Sequence, residues 1–596
     1  MANFILIRDS DRDRGRAAVL QARDQVAFLP RMQADLCLMS DHAVAWATAP
    51  GAPVSRHHGD GPSGVSCLLF GEPHDDDGKS VDAAALSARQ AFAWDSLHQL
   101  NGYYAALMFD PVHGLRAEAD VLGIFPIYYW QSGDVVLVAS SPELFRCHPS
   151  FRRETDLHGI AALLLTSGMV GGRTLLQGVR RLGPDHVLLC PPGGAAVELS
   201  PPALEPGAPL TSLEEAVEEA SALHRAFLRS ALRSARQPGL QLSGGLDSRL
   251  LAGFVHELGH RPACLTFGRR EDLDARCATQ VAQHLAWPQT FWESEPGDYA
   301  SYASSCVRQE NLSGGLYSLA MGWNISVRPP PVEMDRMVCG LTLDAVIGGP
   351  KHTARADGDL AFEQLRIGRL GFQREQLARL VAEPALLAAC EDIRNELVKA
   401  YRDAAPTDAL REWRMNLAHR HRFAVGVCAW RFSLFSWPVL PALDRRLIRL
   451  AARLPHSLVE KRRVQTHMLI TRFPELARLE IDRNYVDTFP ILGPKLSPWG
   501  QLRRRLVRWS RHVQCRIGRE PRFYVRTMEI NGPGWRVVRR LADQARSSAR
   551  ELFKPDELAA VVPPADARIP RFEDPIIHST PLKNTVGVML WLHQRA

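Results

Sequence analysis

The stretch Gly239-Leu-Gln-Leu-Ser243-Gly244-Gly245-Leu246-Asp247-Ser248-Arg-Leu-Leu-Ala-Gly253 decides how the second half of this 596-residue chain folds. It reads as a short buried strand, a tight turn and the first turns of a helix. Ser243, Gly244 and Gly245 offer consecutive backbone N–H groups with no bulky side chain in the way, and the following helix adds its positive end. Such a cradle suits a pyrophosphate. Its spacing is neither that of the Gly-x-x-x-x-Gly-Lys-Ser/Thr phosphate loop nor that of a dinucleotide Gly-x-Gly-x-x-Gly.

Downstream the pattern alternates. The strand at 239–242 leads to a helix over 247–258, a strand at Ala263–Phe267, a helix over 272–286 and a strand at Gln289–Trp292. Arg336–Gly340 reads as a later strand. This alternation predicts a parallel sheet with helices on both faces and ligands beyond the carboxyl ends of the strands. Residues after about 355 read as mostly helical. Upstream, residues 1 to about 190 are β-rich: Leu36–Met39, Val65–Phe70, Leu100–Asp110 and Val135–Ala139 read as strands, and 82–99 as a helix. The Pro/Gly-rich stretch from Pro191 to Pro209 has the composition of a linker, and Ser212–Arg236 has helical spacing. The fold class is therefore α/β: an α+β first part over 1–205, then a parallel-sheet part with a helical extension over 210–596.

The totals describe an ordinary soluble protein, with 23% charged and 46% hydrophobic residues. Nothing resembles a signal peptide, and no apolar run is long enough to span a membrane. The eleven cysteines are odd in number and contain no Cys-x-x-Cys pair, which predicts a reduced, cytoplasmic location without disulfides or structural zinc. The net charge of +7 is concentrated late. Ten Lys/Arg lie between Lys495 and Arg526 against one acid, Glu520. That run suits either a patch for nucleic acid or acidic peptide, or a solvated cationic helix face; the second reading is favoured. Trp535–Arg540 and Glu551–Leu558 read as amphipathic helices, and Val586–Leu592 as a core-facing final helix.

These residues resemble the asparagine synthetase family. Ser243–Ser248 is similar to the Ser-Gly-Gly-x-Asp-Ser loop of enzymes that split ATP into AMP and pyrophosphate. Asp120-x-x-Gly123-x-x-Pro126-x-Tyr128-Tyr129, Gly340–Gly349 and Pro441–Asp444 follow in the family's order. The resemblance implies a glutaminase-type sandwich ahead of an ATP-pyrophosphatase domain. It implies nucleotide contacts at Leu242, Ser243, Gly244, Gly245, Asp247, Ser248, Thr266, Phe267 and Gly340, and Mg²⁺ held by Asp247 and Asp344. Either aspartate taken alone is equally suited to capping a helix.

Two departures from the family pattern carry information. Glutamine-hydrolysing members begin with a nucleophilic Cys; this chain has Met1-Ala2 and no Cys before Cys37, so the first domain is expected to be inactive. Asparagine synthetases carry Gly-Glu-Gly-x-Asp-Glu where this chain has Leu341 and Ala345 in place of the acids. The family's late Lys aligns with Arg463, with Lys461 and Arg462 beside it, and Arg463 or Lys461 is the expected catalytic cation. Members with this combination include lasso peptide cyclases, which join an Asp or Glu side chain of a precursor peptide to its own N-terminal amine. That resemblance implies a precursor peptide as substrate, a leader-binding protein and a leader protease as partners, and no nucleic acid. The alternative is an amidotransferase using ammonia or a small-molecule amine, including β-lactam synthetase-like chemistry or polysaccharide modification.

Overall fold

The computed structural model describes residues 2–27, 29, 31–39, 42–59, 64–90, 100–200, 207–293, 330–348, 370–482, 488–493, 498–516, 519–522, 525, 529–570, 572 and 579–593. The strands of the first half are, in order, β1 (Ala2–Arg8), β2 (Gln33–Leu38), β3 (His42–Thr48), β4 (Val54–His57), β5 (Ser66–Phe70), β6 (Ala105–Asp110), β7 (Gly114–Ala119), β8 (Tyr128–Ser132), β9 (Val135–Ala139), β10 (Arg180–Arg181), β11 (Val187–Cys190) and β12 (Val197–Leu199). They form two antiparallel sheets, ordered β10-β8-β9-β1-β3-β2 and β12-β11-β7-β6-β5-β4.

Both faces of the first sheet are covered, which is why β1 carries the unbroken apolar run Phe4–Ile7 rather than an alternating one. Phe4 and Leu6 point to the other sheet, packing with Phe70, Leu107 and Leu115. Ile5 and Ile7 point outward, under the helices Arg12–Val26 and Leu157–Thr166. A third helix, Ala83–Gln90, covers the outer face of the second sheet. It is the described part of the helix expected over 82–99; residues 91–99 lie outside the described residues. The turn after β7 is organised by Asp120, whose carboxylate accepts the N–H groups of Leu122, Ile124 and Phe125 while Gly123 adopts φ +59°.

The second half is built on β13 (Pro238–Gln241), β14 (Ala263–Phe267), β15 (Gln289–Trp292), β16 (Arg336–Val338) and β17 (Trp437–Val439). All are parallel, in the order β15-β14-β13-β16-β17. The chain builds outward from β13 to one edge and then returns to build the other. The point where the order reverses therefore lies between β13 and β16. Helices follow through most of the described residues from 370 to 593, as expected.

The two halves share their interiors. One apolar cluster runs from Phe4, Phe70 and Phe125 of the sandwich into Leu240, Val338 and Trp437 of the parallel sheet. A second joins Leu163 and Leu164 to Ile393 and to Val586 and Met589 of the last helix, Thr580–His593. Arg445 crosses the junction: it pairs with Asp185, donates Nε–H to the Leu100 carbonyl at 3.2 Å, and its N–H reaches Asn101 Oδ1 at 2.8 Å. Among the described residues no helix is long and apolar enough to cross a membrane, and the described cysteines form no disulfide.

Candidate active site

The turn after β13 leaves the sheet at the reversal point, the place where open α/β sheets gather ligands. Gly245 is the N-cap of the helix Leu246–Glu257 and has no side chain to cap it. The helix therefore meets the crevice with its positive end uncovered. The turn itself is knitted by two hydroxyls and one carboxylate. Ser243 N–H donates to Ser248 Oγ at 3.1 Å, Gly245 N–H to Ser243 Oγ at 3.2 Å, and Gly244 N–H to Asp274 Oδ1 at 2.8 Å. Ser248 Oγ also lies 2.9 Å from both the carbonyl and the hydroxyl of Ser243. Gly244 has to be glycine: a Cβ there would stand 2.7 Å from the Asp274 carbonyl and 2.7 Å from Cys277 Cβ.

Asp247 and Asp344 belong to different elements. Asp247 lies in the first turn of the helix after β13; Asp344 lies in the short helix Leu343–Val346 that follows β16. Because β13 and β16 are neighbours, the two carboxylates come close enough to feel each other. Burial pushes the Asp247 carboxyl up to about 6, with the Asp344 charge adding to the rise and Arg462 and Gln465 opposing it. Gly340 makes the approach possible, since a Cβ at that position would meet Asp247 Cβ at 2.9 Å. Two hard oxygen donors that repel each other across a crevice fit a divalent cation completed by phosphate oxygens, the usual manner of Mg²⁺. Among the described residues no cluster of three or more His, Cys, Asp or Glu is arranged to hold a metal unaided.

The cation facing this pair is Arg462. Its guanidinium pairs with Asp247 Oδ1, and its Nε–H donates to Gln465 Oε1 at 2.8 Å. Gln465 in turn donates to Asp247 at 2.6 Å and is fully buried. Arg463 turns away and donates to the Ser457 carbonyl at 2.7 Å. Lys461 is 85% exposed beside Glu460. The backbone explains the division: Lys461 and Arg462 are left-handed, and Arg462, the N-cap of the helix Arg463–Arg472, is turned toward Gln465 of that helix, which packs against Leu246–Glu257. Lys461 and Arg462 are consecutive non-glycine residues with φ of +54° and +60°, and Thr342, two before Asp344, has φ +67°. Left-handed backbone of this kind costs on the order of 1–3 kcal/mol per residue and persists only where its surroundings enforce it.

The remaining expected contacts are placed as follows. Leu242 and Thr266 are buried and tie β13 to β14, the Thr266 hydroxyl donating to the Leu242 carbonyl at 2.8 Å. Phe267 is half-buried against the rings of Trp292 and Phe432. Sequence reading passed over Gln465 and the pairing of Asp274 with Asp482. Burial and the Asp482 charge push the Asp274 carboxyl up to about 7, the Gly244 N–H opposing them, while Asp482 N–H donates to the Gly244 carbonyl at 2.9 Å. Beside Asp344 after β16, Leu341 is half-buried and Ala345 buried, the Ala345 carbonyl accepting the indole N–H of Trp413 at 3.0 Å.

Comparison with known proteins agrees with this layout. Residues 83–198 match the glutamine amidotransferase domain, and residues 220–316 match asparagine synthase. In that order the two support an asparagine synthetase-type layout, with a domain of the ATP-dependent carbon–nitrogen ligase type in the second half. The second match covers the Ser243–Ser248 turn and ends before Asp344 and Arg462. No curated protein matches. Among solved structures the chain is similar to glutamine phosphoribosylpyrophosphate amidotransferase from B. subtilis complexed with ADP and GMP: 12% identity over 48% of this chain and 65% of that one, TM-score 0.20. It thus spans just under two thirds of that protein. A second, the allosteric regulatory enzyme of purine biosynthesis, is 12% identical over 61% of this chain and 78% of that one, TM-score 0.21.

Proposed function

We propose that this chain is a macrolactam-forming ligase of the lasso peptide type. With ATP it adenylates an Asp or Glu side chain of a ribosomal precursor peptide, then joins that carboxyl to the peptide's N-terminal amine, releasing AMP and pyrophosphate. In this reading residues 1–205 are an inactive glutaminase-type domain and residues 210–596 the ligase. A leader-binding protein and a leader protease deliver the peptide. The observation that carries the proposal is the meeting of Asp247 and Asp344 under Arg462, in a chain whose amine side has Leu341 and Ala345 in place of acids.

Each residue has a task in this scheme. The uncovered helix end at Gly245 receives the phosphates that leave as pyrophosphate, since the N–H groups of Ser243, Gly244 and Gly245 are taken by Ser248, Asp274 and Ser243 side chains. Asp247 and Asp344 would hold Mg²⁺, which supplies charge neutralisation on the phosphate oxygens. Arg462, held beside Asp247 by Gln465, would stabilise negative charge at the α-phosphate as pyrophosphate leaves and on the acyl oxygen as the amine attacks. Leu341 and buried Ala345 give the amine an apolar approach, which helps keep water from the acyl-adenylate. An α-amine with a pKa near 8 is appreciably neutral there without a carboxylate base, whereas a lysine near 10.4 is not.

The test is reconstitution of purified enzyme with precursor peptide, partner protease, ATP and Mg²⁺. The expected result is AMP together with a product one water lighter than the linear core. AMP formation driven by ammonium or a small amine, with no peptide required, would sink the peptide reading while leaving the ligase chemistry in place.

A further inference from the structure

The helix Pro498–Arg516 is built inside out. Among the described residues ten large apolar side chains are exposed, and six of them sit on this one helix. Trp499 is 75% exposed, Leu506 57% and Trp509 67%. At 100° per residue, Trp499, Leu502, Leu506, Trp509 and Val513 share an arc of about 80°. The residues of this helix that are only half exposed, Gly500, Arg504, Arg511 and Cys515, lie on the opposite arc. There the Arg504 guanidinium rests 3.6 Å over the ring of Phe489. The helix is thus fastened to the body by its polar side and turns its apolar stripe outward, the reverse of an ordinary surface helix. Exposed Arg503 and Arg505 flank the stripe on either side, and Pro498–Arg516 contains six arginines and no acid.

We propose that this helix docks the protein on an anionic lipid surface. An apolar stripe bordered by arginines is the form that lies in the plane of a bilayer interface. The tryptophans settle at headgroup depth, and the arginine stems lie along the apolar layer with their heads on lipid phosphates. Two alternatives fit the charges less well. A second copy pairing through the same face would bring two arginine rows together with no acid between them. Nucleic acid would neutralise the arginines but leave the Trp/Leu stripe against water.

Flotation of the full chain with vesicles tests this. Wild type is expected to rise with phosphatidylcholine vesicles containing phosphatidylglycerol and to stay down with phosphatidylcholine alone. Leu506→Glu combined with Trp509→Ala should abolish flotation. Arg503→Gln combined with Arg505→Gln should weaken it about tenfold and reduce its salt sensitivity. Both double variants should melt at the wild-type temperature, because the altered side chains are exposed. The proposal is overturned if wild type stays down with the anionic vesicles, or if wild type and the Leu506→Glu/Trp509→Ala variant float equally. It is also overturned if light scattering shows a wild-type dimer that this variant dissociates, or if an acidic peptide or nucleic acid is retained by this face while vesicles are not.

Discussion

Single residues at the site have separable roles. Arg462→Gln should lower the rate of AMP formation by about 100-fold or more, because the guanidinium faces Asp247; Arg463→Gln should stay within about threefold of wild type. Equal losses in the two variants would show that the wrong arginine had been identified. Asp247→Asn and Asp344→Asn should each remove pyrophosphate release while the protein still folds. Gly340→Ala should disable the site through sterics alone, since its methyl would displace Asp247. Asp274 acts on stability instead. Its folded pKa of about 7 stands above the unfolded value near 3.9, so the native state holds the extra proton between them. Stability is therefore lost as pH rises through that window. Asp274→Asn keeps an acceptor for the Gly244 N–H and should stabilise the fold by on the order of 2 kcal/mol near pH 8, the gain vanishing below about pH 4; melts across that range check the sign. The aspartates are singled out by the family resemblance rather than by position, since a short acid just past a strand end suits a helix cap equally well. Arg462 is not singled out, because the left-handed turn at Lys461 and Arg462 that aims it at Asp247 leaves no mark in a run of three basic residues. Gln465 carries no charge to draw the eye.

The elements repeat the lesson at greater length. Alternating strands and helices from 238 to 292 stand within a residue or two of their expected positions, since each strand is a short buried run bounded by Gly or Pro. The edge strand β17 escaped notice: it has three residues, the middle one Pro438, and sequence patterns of that length hold no period. β7 was hidden differently. Its Arg116 and Glu118 lie two apart on one face and are both buried, paired with each other, where the alternation rule expects apolar side chains. Leu100–Asp110 reads as one strand, yet only Ala105–Asp110 is extended in a ladder. The residues before it carry the junction to the second half, with the Asn101 side chain and the Leu100 carbonyl holding Arg445. Arg445→Ala should strip Asp185 of its partner and destabilise the chain by about 3–5 kcal/mol, measured by denaturant unfolding.

At the scale of the molecule the two halves do not have separate interiors. Tyr103 and Phe125 of the sandwich pack at tilted angles around Trp437 of the parallel sheet with ring centroids 5.2–6.5 Å apart, and the Trp437 indole donates to the Tyr103 carbonyl at 3.2 Å. Unfolding of the full chain should accordingly be a single cooperative transition by calorimetry, and residues 207–596 expressed alone should be recovered as aggregate. Two resolved transitions would refute this. The Pro/Gly-rich stretch reads as a linker between the halves, of which residues 201–206 lie outside the described residues; a linker composition gives no sign of apolar side chains meeting across it. The shared interior also constrains how such enzymes diversify. A gene fusion that grafts a new ligase half onto an old sandwich would inherit mismatched aromatic surfaces at Trp437. Substrate range should therefore drift through the loops at the strand ends, while the sandwich is kept as an inseparable partner.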